Sequence, residues 1–504
     1  MWWLALHLPQ LSLEAFSATL GDSPLDRPVA LVADHRITAV NAAAAQCGIQ
    51  PGIKRATALA LSGELLLGQA AAERDAAALQ AVAHAALAFT PAVTLHDTQT
   101  VLLEVHASLR LFGGLAALRR RLKEALAPLG HAVHSAAAPT ALGAALLARW
   151  PDGGRGVTAD LPTLHARLDS APVWLLGPGR QHWDALQGMG LHTLADLRQM
   201  PRAGVARRFS EELLDELDRA YGQRPDPRLW VELPAAFETR LELFARADTT
   251  EQVLHGAAVL LARLVAWAGA RQSRVAAFTL HMQHEPRHRE STAPSTTLRI
   301  ELAEPALDPA HLQALLRERL ARITLAAPTL ELRLHCHQLV HTGPPNGELF
   351  PSRGSEAEGL VRLLERLRAR LGDEQVHRLQ AVADHRPERA SRAVPALTAV
   401  GATTEVGRAA MQLADSTLPL HRPVWLLPEP LPLSERDTLP LLDGRPLQLL
   451  SGPERIEAGW WDGSPATRDY FIAQAEDGSL VWVWRSRLPV APGEVNWFMQ
   501  GRFG

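Results

Sequence analysis

Residues 95–114, LHDTQTVLLEVHASLRLFGG, form the segment that decides the fold of this 504-residue chain. The run 101–105 is short, aliphatic and β-branched, which predicts one buried strand. A Gly-Gly pair then interrupts the chain, and leucines at helical spacing predict a helix over residues 116–129. The polar turn 97–100 leads into the strand, and functional residues are often carried by such loops on a rigid scaffold. The turn is therefore the first candidate site.

The composition is that of a soluble globular protein with several domains. The chain is too long for one core, and 47% hydrophobic with 21% charged residues excludes a disordered chain. The formal net charge is −3. A nucleic-acid site would therefore have to be a local basic patch, because the chain has no overall excess of positive charge.

Cysteine usage and the N-terminus predict a cytoplasmic protein. The two cysteines, Cys47 and Cys336, are too few for a disulfide framework, which fits a reducing compartment. The apolar N-terminus lacks a basic leader and is interrupted by Pro9, so we interpret residues 3–8 as a buried first strand. No other stretch is predicted to be long and apolar enough to cross a membrane.

The turn and its strand resemble the catalytic turn of the Y-family translesion DNA polymerases, whose pattern is S-x-D-E-[AS]-[YF]-L-D-V. Residues 103–105, Leu-Glu-Val, match its end, and its Asp-Glu pair falls on Gln99 and Thr100. The first strand of that family carries a D-x-D pair, whereas this chain has no carboxylate there before Glu14. Two-metal phosphoryl transfer needs clustered carboxylates. We therefore expect no metal site and no cofactor.

Two further family motifs are matched in spacing but not in the residues that bind a triphosphate. Residues 37–52 resemble the fingers motif, (S/N)-Y-x-A-R-x-x-G-(V/I)-x-x-G-M, with Ala42 and Ala45 in place of Tyr and Arg. Residues 133–148 resemble a third motif, S-x-G-[IV]-[AS]-x-N-K-x-[LV]-A-K-x-A, with Ala141 and Ala145 in place of both lysines. Alanine offers no donor to a phosphate. We predict no catalytic residue; the alternative is an unrelated alanine-rich α/β domain with chance spacing.

From residue 172 the chain is predicted to be helical, and Gly177-Pro178-Gly179 resembles the helix-hairpin-helix of the family's thumb. In such a hairpin, backbone N–H groups approach a DNA phosphate and a helix N-terminus adds its dipole. The alternative is an ordinary pair of helices with glycine caps. The position after a palm-like segment favours DNA, with contacts from Gly177, Gly179, Arg180, Arg207 and Arg208.

Residues 237–340 are predicted to alternate strands with two long helices, in the order strand-helix-strand-strand-helix-strand. That order resembles the family's little finger, which lies along DNA. The resemblance implies phosphate contacts by Arg271, Arg274, Arg287, Arg289 and Arg299. His335 and His337 alternate on one strand and share a face, but without a third ligand they predict surface or core histidines.

Residues 342–352 form a Pro- and Gly-containing linker with the segment NGELF. This segment resembles the bacterial sliding-clamp motif Q-L-[SD]-L-F, with Asn in place of Gln. An exposed Leu-Phe pair suits a partner's pocket, so clamp binding is predicted through Asn346, Glu348, Leu349 and Phe350. The alternative is docking on this protein's own next helix, 357–371, where Glu358 and Glu365 predict a solvated, paired face.

The last 120 residues are predicted to be strand-rich and are dense in tryptophan. These side chains either fill a small β core, the default, or build a binding surface. The predicted fold class is α+β multidomain, similar to the right hand of Y-family polymerases with a strand-rich C-terminal region. The predicted domains are palm-like (1–20 and 75–165), fingers-like (21–74), thumb-like (166–232), little-finger-like (233–341), linker (342–352), helix (353–384) and C-terminal partner-binding region (385–504).

The whole-chain resemblance is to a catalytically inactive branch of the Y family found in bacterial mutagenesis cassettes. It implies a nucleoid-associated hub of the SOS response that binds primer-template DNA, the beta sliding clamp, a RecA-like accessory protein and an error-prone C-family DNA polymerase. The main alternative is an active translesion polymerase that needs Mg²⁺ and uses Asp97, Glu104 and Glu14. A cytoplasmic α/β enzyme with an unrecognised site is the alternative outside DNA metabolism.

Overall fold

The structure is a computed structural model that describes residues 1–20, 27–151, 156–286, 294–341, 353–372, 374–396, 422–423, 425–488 and 495–503. The chain divides into two compact units, Met1–Arg370 and Leu371–Gly504. The first unit mixes helices and sheets, and the second is dominated by strands. The predicted α+β multidomain class with a strand-rich C-terminal region is confirmed.

The first 170 residues contain eight strands and eight helices among the described residues. They are β1 (Trp3–His7), α1 (Leu11–Ser17), β2 (Val29–Ala33), β3 (Arg36–Val40), α2 (Ala42–Gln46), α3 (Arg55–Leu61), β4 (Leu66–Gln69), α4 (Ala72–Leu87), β5 (Val93–Leu95), β6 (Thr100–Glu104), α5 (Leu109–Phe112), α6 (Leu115–Leu126), β7 (His134–Ala138), α7 (Ala141–Arg149), β8 (Gly156–Val157) and α8 (Leu161–Asp169).

The central sheet has the strand order β5-β6-β1-β7-β8. β1 pairs antiparallel with both β6 and β7, so the strand after the polar turn lies beside the first strand of the chain. Leu4 and Leu103 face α4 and α6, whereas Ala5 and Leu102 face α7. A sheet covered by helices on both faces needs apolar side chains on both faces. This explains the continuous aliphatic run at residues 101–103.

A small sheet of order β3-β2-β4 carries the fingers-like motif. The Asn41 side-chain oxygen accepts the Ala44 N–H at 2.9 Å and thereby caps α2. Gly48 and Gly52 adopt φ values of 80° and 93°, which favour glycine. Helix capping and turn geometry therefore account for the residues of this motif that are retained.

A helical region follows the central sheet, as predicted. Its core is continuous with α7, since Leu142 packs in the same cluster as Leu186, Leu194 and Leu213. The helices are α9 (Gly177–Gln181), α10 (Trp183–Gly188), α11 (Leu194–Gln199), α12 (Arg202–Arg208) and α13 (Glu211–Ala220).

A four-stranded antiparallel sheet of order β11-β10-β12-β9 completes the first unit. The chain order, strand-helix-strand-strand-helix-strand, is the predicted one, and two helices cover one face of the sheet. The elements are β9 (Phe237–Ala247), α14 (Thr250–Ala270), β10 (Ser273–His284), β11 (Ser295–Ala306), α15 (Pro309–Leu320), β12 (Thr329–His341) and α16 (Arg353–Leu371).

Helix α14 is apolar on nearly all sides, and among the described residues it alone is long and apolar enough to span a membrane. The expectation that no such stretch exists was wrong. Leu260 and Leu264 of α14 pack on the four-stranded sheet, while Ala266 packs in the core beneath α4. A helix buried on several sides at once needs apolar residues all round, so its composition follows from core packing.

Helix α16 corrects a second expectation, because Glu365 is not on a solvated face. Its side chain is 6% exposed. One carboxylate oxygen accepts the N–H groups of Ala303 and Glu304, and the other lies 2.8 Å from His311 Nε2. Glu365 therefore anchors α16 to β11 and α15. The side chain of Glu358 lies outside the described residues.

The second unit is built around a seven-stranded sheet of order β17-β16-β15-β21-β20-β19-β18, with a separate β13-β14 hairpin. Its strands are β13 (His377–Ala381), β14 (Ser391–Pro395), β15 (Trp425–Arg436), β16 (Leu439–Leu442), β17 (Arg445–Pro446), β18 (Gln448–Ala458), β19 (Ala466–Gln474), β20 (Leu480–Ser486) and β21 (Trp497–Arg502).

The tryptophans of this unit divide into a core set and a surface set. Trp482 and Trp497 are 2% exposed and pack inside the sheet, which confirms the default interpretation for them. Trp425 (72% exposed), Trp460 (73%) and Trp461 (55%) face solvent. Since large apolar side chains are seldom exposed together without a function, the surface set is a candidate partner-binding feature.

Arg386 connects residues 385–389 (HRPER) to residues 459–462 (GWWD) through its hydrogen bonds. Its guanidinium donates to the carboxylates of Asp384 and Asp462 and to the Ser464 carbonyl. It also lies over the ring of Trp461, 5.6 Å from the ring centroid. The exposed Trp460–Trp461 pair is therefore carried on a loop that is held in place, which lowers the entropy cost of using it as a contact.

Candidate functional site

His7, Gln99 and Thr100 lie in the two segments where the resemblance to the Y family predicts metal ligands. His7 ends β1 directly opposite Thr100, which begins β6. Both are buried, and His7 Nδ1 lies 3.0 Å from Thr100 Oγ1. Burial, and then the nearby Arg149 guanidinium, lower the pKa of His7 to about 4. A neutral imidazole therefore bonds to a hydroxyl where the family has a carboxylate pair.

Asp97, the carboxylate of the turn, forms an ion pair with Arg149 at the end of α7. The Gln99 N–H also donates to Asp97 Oδ1 at 2.8 Å. Burial raises the pKa of Asp97, but the Arg149 guanidinium and the Gln99 N–H outweigh burial and hold the pKa below its usual value. The one acidic side chain of the turn is thus neutralised by a protein cation.

The segment after α13 runs beside β5, where the Val231 N–H donates to the Val93 carbonyl at 2.8 Å. Trp230 stacks on Trp3, at the opposite end of β1 from His7, with ring centroids 6.2 Å apart. Arg228 Nη1 lies 3.0 Å from His96 Nδ1, and burial lowers the pKa of His96 to about 4. The turn is therefore flanked by two neutral histidines and by two arginines, each of which is paired with an aspartate, Asp97 or Asp226.

The three carboxylates of the active-polymerase alternative do not converge. Asp97 is paired with Arg149 as described. Glu14 accepts the Ala132 N–H at 3.1 Å, and Glu104 accepts the His106 N–H at 3.1 Å. Within the described part of the chain, no group of three or more His, Cys, Asp or Glu side chains could hold a metal ion. The residues present do not fit the two Mg²⁺ ions that the family implies.

The four alanines at the expected triphosphate-binding positions lie in two environments. Ala42 and Ala45 are exposed on α2. Ala141 and Ala145 are each 3% exposed and pack in the core between α7 and the central sheet. None offers a hydrogen-bond donor from its side chain, and a lysine at either buried position would require repacking of the core.

The thumb-like hairpin holds its glycines in contacts within the protein. The Gly177 N–H donates to Glu216 Oε2 at 3.0 Å, and Pro178 has no N–H. Gly179 is buried, and a Cβ added to it would lie 2.3 Å from the Val173 carbonyl oxygen. In this conformation a carboxylate therefore occupies the place of a phosphate at Gly177, and Gly179 serves close packing.

We predict that Gly179→Ala destabilises the helical region by about 2 kcal/mol, because the new methyl group collides with backbone that cannot rotate away. Gly188→Ala is the matched control. Gly188 lies in α10 with open space around its Cβ position, so alanine there should stabilise the region by about 0.5 kcal/mol. Amide hydrogen exchange of α9 to α13 measures both changes. Equal effects of the two substitutions would contradict the packing role.

Arg180, Arg207 and Arg208 are the predicted phosphate-binding arginines of the helical region. All three are exposed, and the described residues provide no ion pair to any of them. Arg202, by contrast, binds Asp218 through two hydrogen bonds, at 3.0 and 2.6 Å. In this region the three exposed arginines, and not the hairpin glycines, are therefore free to contact a ligand.

The arginines predicted on the four-stranded sheet are mostly engaged or outside the described residues. Arg271 donates to a backbone carbonyl at 2.7 Å and stacks over Trp267. Arg274 is partly buried. Arg287 and Arg289 lie outside the described residues, as do all four predicted clamp-binding residues, Asn346, Glu348, Leu349 and Phe350.

The outer face of the four-stranded sheet is balanced in charge. Three pairs lie across it: Arg299 with Glu301, Arg333 with Glu331, and His335 with Glu238. His335 and His337 share this face, with ring centroids 5.5 Å apart. His281, which the sequence did not single out, lies 6.4 Å from His335 by ring centroid. This face is polar but has no excess of arginine over glutamate.

Three residues that contact the turn or the hairpin were not predicted from the sequence. They are Arg149 and Arg228 at the turn and Glu216 at the hairpin. Each contacts a residue 39 or more positions away. For Arg149 a weak signal existed, because it is the first charged residue after an entirely apolar helix segment, 141–148. A charge at the end of such a segment indicates a buried or half-buried partner.

The fold and the motif spacing are polymerase-like, and the position of the expected metal site is occupied by the His7–Thr100 contact and the Asp97–Arg149 ion pair. Over 481 residues the chain is 27% identical to Protein ImuB of Caulobacter vibrioides, in strains NA1000 and ATCC 19089 alike. The alignment covers 91% of this chain and 100% of that protein. This similarity confirms the predicted resemblance and supports a polymerase-like mutagenesis protein.

Solved structures were matched at lower similarity. They include the insertion ternary complex of Dbh DNA polymerase (15% identity, TM-score 0.39, 68% of this chain and 100% of that chain). They also include DinB from Sulfolobus solfataricus (14% identity, TM-score 0.37, 67% and 98%). No family model matches the chain.

Proposed function

We propose that this protein is a non-catalytic, Y-family polymerase-like hub for DNA-damage-induced mutagenesis and translesion synthesis. The observation that carries the proposal is the closed set of contacts at the expected metal site. His7 bonds to Thr100 and Asp97 pairs with Arg149, and among the described residues no cluster of three or more acidic, His or Cys side chains could hold a metal there. No step of the proposed function requires chemistry, a metal or another cofactor in this chain.

Primer-template DNA is the first proposed partner. Arg180, Arg207 and Arg208 are exposed cations on neighbouring helices, and arginine suits phosphate oxygens. Affinity that comes from a few phosphate contacts falls steeply with salt, because each contact releases counterions. DNA binding also accounts for the predicted nucleoid-associated location in the cytoplasm.

The other proposed partners are proteins. The segment Asn346–Phe350 would bind the beta sliding clamp, the C-terminal unit would bind the RecA-like protein ImuA, and an error-prone C-family DNA polymerase would carry out the synthesis. The exposed Trp425, Trp460 and Trp461 support a partner surface on the C-terminal unit, since tryptophan is enriched at interface hot spots. Linked weak contacts of this kind raise one another's effective concentration.

Primer extension combined with DNA binding tests the proposal. The purified chain is given Mg²⁺ or Mn²⁺, four dNTPs and intact or lesion-bearing templates, while fluorescence anisotropy follows binding to the same DNA. We expect binding without extension. Arg207→Glu with Arg208→Glu should weaken binding by about tenfold or more, whereas the same change at the exposed pair Arg110 and Arg121 should not.

The same assay tests the alternative predicted from the sequence, an active translesion polymerase with Mg²⁺ held by Asp97, Glu104 and Glu14, although these carboxylates do not converge in the structure. Extension that Asp97→Ala abolishes would establish it and contradict the hub. Extension that survives Asp97→Ala would indicate a contaminating polymerase and is checked by repeating the assay after a further purification step. Clamp binding is tested separately by pull-down with Leu349→Ala and Phe350→Ala together.

A further inference from the structure

A cavity of about 570 Å³ opens between α6 and the central sheet, on the face opposite α7. Leu4 and Leu6 of β1 form one wall, and Leu122 and Leu126 of α6 form the other. All four side chains are at most 5% exposed, so the floor is apolar and set within the fold. The volume falls in the range of sites that bind small ligands or a few side chains.

The rim of this cavity is basic. Arg119, Arg120 and Lys123 line it, and of the described residues no Asp or Glu is among the lining side chains. His131 also lines it, but its Nδ1 lies 3.3 Å from Glu14 Oε2, just outside the lining. Arg119 Nη2 donates to Ser135 Oγ at 3.0 Å across the cavity. An apolar floor with positive charge above it raises the local concentration of anionic ligands that also carry apolar groups. We call this feature the basic-rimmed groove.

The rim cations are available to a ligand. Arg120 is 70% exposed in its side chain, and its contact to Glu124 is long, at 4.0 Å. Lys123 is exposed, and none of the acidic side chains that the structure describes lies within ion-pair distance of it. A long, exposed ion pair contributes little, so a carboxylate from a ligand can replace it. The outer face of the four-stranded sheet differs, because Arg299 and Arg333 each have a glutamate within 2.6 Å.

We propose that the basic-rimmed groove binds an acidic peptide segment of a partner protein that also carries apolar side chains. Carboxylates of the segment lie against Arg120 and Lys123, and its apolar side chains fill the space over Leu4, Leu6 and Leu126. A nucleic acid suits the groove less well, because phosphates cannot use the apolar floor. The site is independent of the DNA, clamp and C-terminal contacts proposed above.

The test is fluorescence polarisation of the full chain with a fluorescein-labelled peptide, Asp-Asp-Asp-Leu-Asp-Leu-Phe. We expect saturable binding that Arg120→Glu with Lys123→Glu weakens by about tenfold or more, because two rim charges are reversed. Ala116→Trp, which fills the groove from the exposed start of α6 without changing charge, should weaken it similarly. Arg110→Glu with Arg121→Glu reverses the same charge outside the groove and should leave binding unchanged.

Three results would overturn the proposal: no saturable binding, equal binding of a peptide with Lys in place of Asp, or equal losses in the groove and control variants. Preferential binding of phosphatidylglycerol vesicles or duplex DNA over the peptide, lost in the groove variants, would assign the groove to another class of ligand and overturn it as well. Thermal unfolding of every variant, followed by circular dichroism, separates loss of the site from loss of the fold.

Discussion

Lowering the pH from 8 to 5 should destabilise the first unit, with His7 and His96 contributing about 4 kcal/mol of the loss between them. In the folded protein, burial and neighbouring arginines lower the pKa of each histidine to about 4. In the unfolded chain each has a pKa of about 6.5. The unfolded state therefore binds more protons below that value. The stability that neutral histidines provide is fully present above pH 6.5 and is lost as the pH falls towards 4.

Urea unfolding at pH 8, 6.5 and 5, followed by tryptophan fluorescence, measures the effect. His7→Gln and His96→Gln should each remove about 2 kcal/mol of the pH dependence. His106→Gln, at an exposed position, reports any general effect of removing a histidine. The depressed pKa of Asp97 acts in a separate range, since its contribution is present above about pH 4 and is lost only below it. An unchanged pH dependence in both variants would contradict the neutral, buried state of these histidines.

The central strand β6 could be predicted from the sequence because the residues that specify it lie within the strand itself. Residues 101–103 are aliphatic in succession since helices cover both faces of the sheet, and this covering leaves a pattern in the strand itself. The partner of the adjacent turn could not be predicted in the same way. Asp97 binds Arg149, 52 residues later, and nothing near either residue specifies that the end of α7 reaches the turn.

At the helix-hairpin-helix, motif spacing predicted the backbone conformation but not which side chain accepts the Gly177 N–H. Gly177-Pro178-Gly179 does begin a short helix, and Gly179 is needed for close packing on Val173. The bond from the Gly177 N–H to Glu216 comes from α13, 39 residues away. Similarly, the loss of donors at Ala42 and Ala45 could be predicted from residue identity, whereas the burial of Ala141 and Ala145 required the packed structure.

For helices α14 and α16, the pattern of apolar and charged residues alone led to a wrong prediction of their surroundings. Apolar residues on all sides of α14 arise because sheet and helices pack around it. The charged pattern of α16 predicted a solvated face, yet Glu365 is buried, since three donors converge on it from β11 and α15. A buried carboxylate of this kind is expected only where hydrogen bonds compensate its desolvation, and those partners are 54 or more residues away.

Glu365→Ala should destabilise the packing of α16 on the four-stranded sheet by about 3 kcal/mol. The substitution removes the acceptor of the half-buried Ala303 and Glu304 N–H groups and the partner of the buried His311. These polar groups are left without that partner. Amide exchange and limited proteolysis over residues 353–371 should show the release of α16 directly.

Two other substitutions in α16 serve as comparisons for the free-energy change expected from Glu365→Ala. Glu365→Gln keeps one acceptor oxygen for the backbone N–H groups and the volume of the side chain, so it should cost clearly less than alanine, about 1 kcal/mol. Arg362→Ala removes an exposed ion pair to Asp308 at 3.6 Å and should cost about 0.5 kcal/mol or less. If alanine at 365 costs no more than alanine at 362, then Glu365 does not anchor the helix. A loss several times larger at 365, with exchange confined to α16 and β11, identifies the carboxylate as the contact that holds this helix on the sheet.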